Sequence, residues 1–279
     1  MNQPLNFIAA MQEFEQYLIT EEKSVVTIEK YLRDIRCFYT FLADRPISKT
    51  ETITYKTHLT AEYAPASVNS MLAALNCFLR FIGLSDCCVR PLKIQRQIFI
   101  REDKELTKAE YHRLIKAAQG TRLSLVIQAI CGTGIRVSEL QYITVEAVRA
   151  GKAVVNCKNK MRIILIPSSL QKLLKEYIKK SGITAGAVFV TKSGKPLNRR
   201  NIWRDMKKLC ERAEVAPEKV FPHNLRHLFA RTFYSVDKDI VRLADLLGHN
   251  SVDTTRIYIM ETGHEHRYRL EQAEKILMT

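Results

Sequence analysis

No stretch of the sequence approaches the roughly 20 consecutive apolar residues that a membrane-spanning helix requires, although 46% of its 279 residues are hydrophobic. The opening segment MNQPLNFIAAMQEFEQYL has no basic lead-in and carries acids, so it does not read as a secretory signal. Seven cysteines occur, an odd number, and none forms a C-x-x-C pair. Cys87 and Cys88 are adjacent and otherwise unaccompanied. Such a set fits reduced cytosolic thiols rather than a disulfide framework. There is no internal repeat and no low-complexity tract. These absences predict a cytoplasmic protein with no membrane partner, and the length allows one large domain or two modest ones.

Charge is abundant and unevenly placed. The formal net charge is +15. Residues 1–85 hold 8 Lys+Arg against 9 Asp+Glu, whereas residues 86–279 hold 36 against 20. The basic excess therefore belongs to the C-terminal two-thirds. A surplus of this size points to a polyanion, because Lys and Arg that meet phosphates release condensed counterions. A merely basic protein is the alternative on charge alone.

The first 85 residues read as four helices. In SVVTIEKYLRDIRCFYTFLA the residues Ile28, Tyr31, Leu32, Ile35, Phe38, Phe41 and Leu42 recur at helical spacing. Ser24 is placed to cap this helix, and Pro46 lies beyond its end. APASVNSMLAALNCFLRFIG repeats the pattern, with Pro65 in its opening turn and Gly83 past its close. Residues 86–104 show no clear period and read as a linker. From residue 105 the pattern is helical, then mixed: KAVVNC and MRIILIP are β-branched runs separated by KNK, which predicts a hairpin. A helix, a short strand at AVFVT and further helices follow. The predicted fold is therefore two-domain and mainly α: a helical domain over 1–85, a linker over 86–104, and a mixed α/β domain with a small antiparallel sheet over 105–279.

Four stretches carry candidate chemistry. CGTGIRVSEL has glycines at 132 and 134, but Val137 stands where a dinucleotide loop needs a third, and no strand precedes it. The turn instead delivers Arg136 and Glu139. A guanidinium on a rigid turn suits a phosphate, to which it gives two parallel hydrogen bonds, and by itself it also suits a surface arginine. In FPHNLRHLFA, helical spacing puts Leu225, Leu228, Phe229 and Thr232 on one face and His223, Arg226 and His227 on the other. Asn224 occupies the position where a zinc motif needs glutamate, which argues against H-E-x-x-H chemistry. A solvated polar face fits the same residues. The hairpin tip CKNKMR offers Lys158 and Lys160, placed to meet a phosphate or to protonate a leaving oxygen. Finally, LLGHNSVDTTRIYI places His249 after a helix-ending glycine and Tyr258 nine residues later. A tyrosine can attack phosphorus if cations surround the target, and the other three stretches supply cations.

The ordered set TGIRVSEL, HNLRHLFA and LLGHNSVDTTRIYI, following a lysine hairpin, resembles the tyrosine recombinase, or phage integrase, family, in particular its compact Xer-type and transposon integrases. The likeness covers nearly the whole chain, with TIEKYLRDIRCFYTFL similar to the family's SAM-like core-binding domain. It implies two domains that clamp duplex DNA at a specific recombination site. It further implies that Arg136 and Arg226 hold the scissile phosphate and that Glu139 supports Arg136. His223 would assist acid–base chemistry, His249 would bond the phosphate, Lys158 would protonate the departing 5′ oxygen, and Tyr258 would attack to give a 3′-phosphotyrosyl link. No metal and no nucleotide cofactor is expected.

The lysine turn departs from the family's glycine-flanked pattern. Cys157-Lys158-Asn159-Lys160 is one residue shorter, which leaves Lys158 and Lys160 as alternatives, with Lys158 preferred. The first domain carries Lys23, Lys30, Arg33, Lys56 and Arg80 as candidates for a local DNA-binding stripe. An additional N-terminal arm-binding domain is not seen, which implies the simpler, accessory-independent type, with action alongside an accessory protein as the alternative. After Tyr258, the residues Leu270, Ala273, Ile276 and Leu277 form an apolar stripe at helical spacing. The resemblance implies that such a tail docks on a neighbouring subunit of a homo-tetramer on DNA, and packing within its own chain is the alternative. Two other functions share this chemistry or this clamp: a type IB topoisomerase-like relaxer and a DNA-binding regulator.

Overall fold

A computed structural model describes residues 7–94, 102–157, 160–191, 193–260 and 263–278. The chain divides into two compact units, Met1–Arg96 and Gln97–Thr279.

The first unit holds four helices: α1 (Phe7–Thr20), α2 (Val25–Leu42), α3 (Lys49–Glu62) and α4 (Pro65–Phe81). Their starts follow local chemistry. Ser24 Oγ accepts the Thr27 N–H and Ser48 Oγ accepts the Glu51 N–H, satisfying amides that a helix leaves unpaired at its N-terminus. Pro65 opens α4, where its missing N–H costs nothing. Phe14, Leu18, Ile35, Phe38, Leu75 and Phe78 are buried together, and the rings of Phe14 and Phe78 meet edge-on at 5.2 Å. The stretch read as the beginning of a linker lies along α3 and α4. Asn76 bonds both the N–H and the C=O of Val89, at 2.9 and 2.8 Å. Asn69 does the same for Leu92, at 2.7 and 3.0 Å. Two asparagines thus satisfy backbone that no regular element pairs.

The second unit begins with α5 (Lys108–Ala117), opened by a reciprocal Thr107–Glu110 capping box, and α6 (Arg122–Thr133). A 3₁₀ segment, Val137–Tyr142, leads to α7 (Val145–Ala150). The predicted hairpin follows as β1 (Lys152–Cys157) and β2 (Lys160–Leu165), antiparallel, with Val154 opposite Ile163 and Val155 opposite Arg162. Alternation along the strands puts Ala153, Val155 and Ile164 in the core, while Val154, Met161, Ile163 and Leu165 face outward. Next come α8 (Ser168–Ser181), α9 (Arg199–Ala213), α10 (Pro222–Val236), α11 (Ile240–Leu247), α12 (Val252–Arg256) and α13 (Gly263–Leu277).

The strand expected at AVFVT does not form. Only isolated bridges occur there, Thr144 with Ala187 and Val190 with Pro196. Val188 and Phe189 are buried in the core, but Val188 N–H bonds Ile143 O beside the 3₁₀ segment, where no strand is available to extend a ladder. A short apolar run satisfies burial equally well as a coil segment. Among the described residues no helix is long and apolar enough to cross a membrane.

Candidate active site

Helix α6 stops at Gly134, whose φ of +64° is left-handed. A Cβ there would lie 2.5 Å from the Phe229 ring of α10. Only glycine permits both the turn and this close approach. The turn buries Ile135 and presents Arg136, followed one 3₁₀ turn later by Glu139. Glu139 accepts the Arg136 N–H at 2.9 Å, Arg136 Nη1 at 3.0 Å, and Arg162 Nη2 from β2. Burial alone would raise the Glu139 carboxyl, but the Arg136 N–H and the Arg162 and Arg136 side chains hold it below its ordinary value.

Helix α11 supplies the other half of the cluster. Its last carbonyls lack intrahelical partners and carry the negative end of the helix dipole. Arg162 Nη1 donates to Leu246 O at 2.7 Å, Arg226 Nη2 to Leu247 O at 2.7 Å, and Arg136 Nη2 to Gly248 O at 3.2 Å. Arg226 also donates to Gly134 O, and so ties the two glycine turns together. Its side chain is among the largest fully buried ones, so the solvated polar face that the sequence of α10 allowed is not what forms. Burial, then the nearby Arg136, pushes the Arg226 guanidinium down to about 10, which still leaves it charged at neutral pH. Three guanidiniums and one carboxylate share this space. The excess positive charge suits an anion.

His249 follows the left-handed Gly248. Its Nε2 accepts from Arg226 Nη2 at 2.9 Å. Arginine can only donate, so Nδ1 carries the proton and gives it to Thr255 Oγ1 at 2.8 Å. Burial, then Arg226, Arg136 and Arg162, push His249 down to about 4. His223, in the first turn of α10, is likewise pushed to about 4, by burial of the ring and then by His227, Arg226 and Arg136, although solvent reaches its edge. Both imidazoles are neutral at pH 7.

Tyr258, just past α12, is 6% exposed. Its ring centroid lies 4.2 Å from His227, 4.9 Å from His249 and 5.3 Å from His223. Its Oη is 3.4 Å from His223 Nε2. The ring packs on Ala230, Leu243 and Leu247, so Tyr258 fills space while its hydroxyl meets the histidine.

The structure thus brings together Arg136, Glu139, His223, Arg226, His249 and Tyr258. Lys158 lies outside the described residues, and Lys160 opens β2. Sequence reasoning misses three neighbours and leaves a fourth open. Arg162 carries no signal in a hairpin whose lysines draw the reading. His227 shares with His223 and Arg226 a face that fits reactive groups or solvent alike, and its ring lies 4.2 Å from that of Tyr258. Glu105, buried before α5, pairs with Arg231 at 3.0 Å and lies 3.6 Å from His227. Thr255 read as one polar residue among several. Only a contact across the fold distinguishes any of them. In the first unit, Lys30 and Arg33 are engaged by Asp34 and Lys56 by Arg90 O, while Lys23 and Arg80 are exposed. Among the described residues, no group of three or more His, Cys, Asp or Glu converges as metal ligands would.

The phage integrase family matches residues 104–264, and the phage integrase N-terminal SAM-like domain matches residues 11–83. Tyrosine recombinase XerA of Thermococcus kodakarensis is 30% identical over 278 residues, covering 95% of each chain. The crystal structure of XerA recombinase is 25% identical, covers 96% of this chain and 99% of its own, and superposes with a TM-score of 0.54. A lambda integrase tetramer bound to a Holliday junction shares the fold, with a TM-score of 0.74 at 20% identity over 92% of this chain and 78% of that one. With the arginine cluster, the buried tyrosine and these likenesses in hand, the chain belongs to the phage integrase family of tyrosine recombinases.

Proposed function

We propose that the protein is a site-specific DNA recombinase that cuts and rejoins strands through Tyr258. The observation that carries this reading is a tyrosine hydroxyl 3.4 Å from a neutral imidazole, at the edge of an arginine cluster that is short of negative charge. A phosphodiester supplies that charge. Arg136 and Arg226 would hold its non-bridging oxygens and stabilise the charge that develops at phosphorus. Tyr258 Oη attacks, and its proton passes toward His223 Nε2. The P–O5′ bond breaks, and O5′ takes a proton from the hairpin lysine, Lys158 in the preferred assignment. A 3′-phosphotyrosyl bond and a free 5′-hydroxyl result. The bond energy stays in the covalent link, so attack by another 5′-hydroxyl reverses the step on a new partner.

Duplex DNA is the substrate class that fits the charge. Helix α9 exposes Arg199, Arg200, Arg204 and Lys208 beside a half-exposed Trp203, a surface suited to phosphates and sugars. Assembly as a homo-tetramer by tail exchange is supported by α13, where Leu270 and Leu277 are 70% and 85% exposed and leave an apolar stripe open to a neighbour. We place the protein in the cytoplasm, where a reducing environment would keep its six described cysteines as the free thiols they are.

The test is strand exchange between two distinguishable duplexes carrying the target site. A recombinase joins strands from both. A topoisomerase-like relaxer changes only the linking number of a supercoiled circle, and a regulator binds without cutting.

A further inference from the structure

Arg162 belongs to the cluster but has no part in the chemistry set out above. It lies on β2, two residues beyond Lys160, and its side chain is 12% exposed. Three features fix it. Nη2 pairs with Glu139, and Nη1 donates to Leu246 O at 2.7 Å. Its stem fills the space over Gly248, where a Cβ would lie 2.5 Å from Arg162 Cδ and 3.0 Å from Nε. The outer face of the hairpin, Val154, Met161, Ile163 and Leu165, is exposed, so apolar packing from that side does not hold the strands. Toward the tip, polar ties take over. Tyr142 Oη donates to Asn156 O of β1 at 2.7 Å, and Arg162 secures β2. Tyr142 and Glu139 lie on one 3₁₀ segment, Val137–Tyr142. Both strands are therefore fastened to the element that presents Arg136.

We propose that Arg162 is a positioning residue for the hairpin lysine. By tying β2 to Glu139 and to the end of α11, it sets where the lysine-bearing tip stands relative to a phosphate held by Arg136 and Arg226. Arg162 thereby acts first on protonation of the leaving oxygen, because Glu139 still holds Arg136 through its N–H and Nη1 when the Arg162 fork is lost. The proposal rests on the strand-cleavage reading. Losing the fork lets the tip drift, and a displacement of about 1 Å at a reacting group costs about 100-fold in rate.

The experiment compares two nicked duplexes, one with the normal O5′ at the scissile position and one with sulfur bridging phosphorus to C5′. When the P–S bond breaks, its electron pair leaves as a thiolate, which needs no proton because a thiol ionises several units below an alcohol. Covalent adduct formation is timed for the wild type, Arg162→Lys and Arg162→Ala. Lysine keeps a charge facing Glu139 and serves if alanine fails to fold, which thermal unfolding reports. The expected result is a loss of about 100-fold on the oxygen duplex with near-wild-type rates on the sulfur duplex. Lys158→Ala and Lys160→Ala run alongside. The one that sulfur rescues is the acid, and combining it with Arg162→Lys should add little further loss. Equal slowing on both duplexes overturns the proposal and makes Arg162 part of the phosphate clamp. No slowing on either overturns it as well. If the wild type forms no adduct with either duplex, the strand-cleavage reading itself has failed.

Discussion

Arg226 Nη2 and His249 Nε2 lie 2.9 Å apart, and this contact sets the direction of the histidine's proton. The guanidinium can only donate, so Nε2 is bare and Nδ1–H faces Thr255. For His249 to bond a phosphate through Nε2, that nitrogen must gain a proton. Burial and then the surrounding cations hold the imidazole near 4, and an arriving phosphate would offset the cations. With Thr255 Oγ1 still accepting the Nδ1 proton, a phosphate bonded to Nε2 would couple binding to proton uptake. Calorimetry of duplex binding near pH 6, in buffers of different ionisation enthalpy, should show protons taken up by the wild type and fewer by His249→Gln. Equal uptake by both would contradict the assignment.

The same depressed histidines make the DNA-free protein sensitive to acid. An unfolded histidine titrates near 6.5, whereas His223 and His249 titrate at about 4 in the fold. Between these values the unfolded chain binds more protons, so stability rises with pH. The contribution is fully present above about pH 6.5 and is lost as the pH falls toward 4. For half-buried His249, about 1–2 kcal/mol is expected after allowance for solvent screening. Urea unfolding at pH 7 and pH 5 should show this loss in the wild type and a smaller one in His249→Gln.

Gly134 and Gly182 share a φ of +64° but differ in surroundings. A Cβ at 182 meets nothing within 4 Å, whereas one at 134 would strike Phe229 at 2.5 Å and Leu247 at 3.0 Å. Gly182→Ala should cost about 1 kcal/mol from backbone strain alone. Gly134→Ala should cost about 2–4 kcal/mol and also slow cleavage, because Gly134 O accepts from Arg226. Denaturant unfolding of the two variants checks the difference.

The stripe on α13 should matter for exchange and not for cutting. Leu270→Glu with Leu277→Glu places two charges where the exposed apolar residues would enter a neighbour. Adduct formation on an isolated half-site should stay within about threefold of the wild type, because no new chemistry is asked of Tyr258, while junction formation between two duplexes should fall by about 100-fold, as loss of about 2.7 kcal/mol of interface would produce. Loss of both activities would mean that the tail serves its own chain.

The sequence made the helical domain, the hairpin and the order of the reactive residues legible, because each rests on a short-range pattern. Ser24, Pro65 and Gly83 mark helix ends through their own backbone chemistry. The parts that stayed hidden depend on distant contacts. Nothing near Arg226 indicates that its polar face would be buried under the end of α11, and nothing near Arg162 indicates that Glu139 would be its partner, since these meetings join residues 21 and 23 positions apart. His227 follows Arg226 in sequence, yet its stacking on Tyr258 depends on how α12 folds back. The strand expected at residues 187–191 failed for the same reason: its β-branched residues met a core but no strand with which to pair.

The most direct measurement is covalent capture. A duplex nicked near the cleavage point is incubated with the wild type and with Tyr258→Phe, and the products are resolved on a denaturing gel. The phenylalanine ring keeps the packing on His227 and Leu247 and removes only the hydroxyl beside His223. The account predicts a protein–DNA adduct with the wild type and none with Tyr258→Phe, at equal DNA binding. An adduct with Tyr258→Phe would contradict it and place the nucleophile elsewhere.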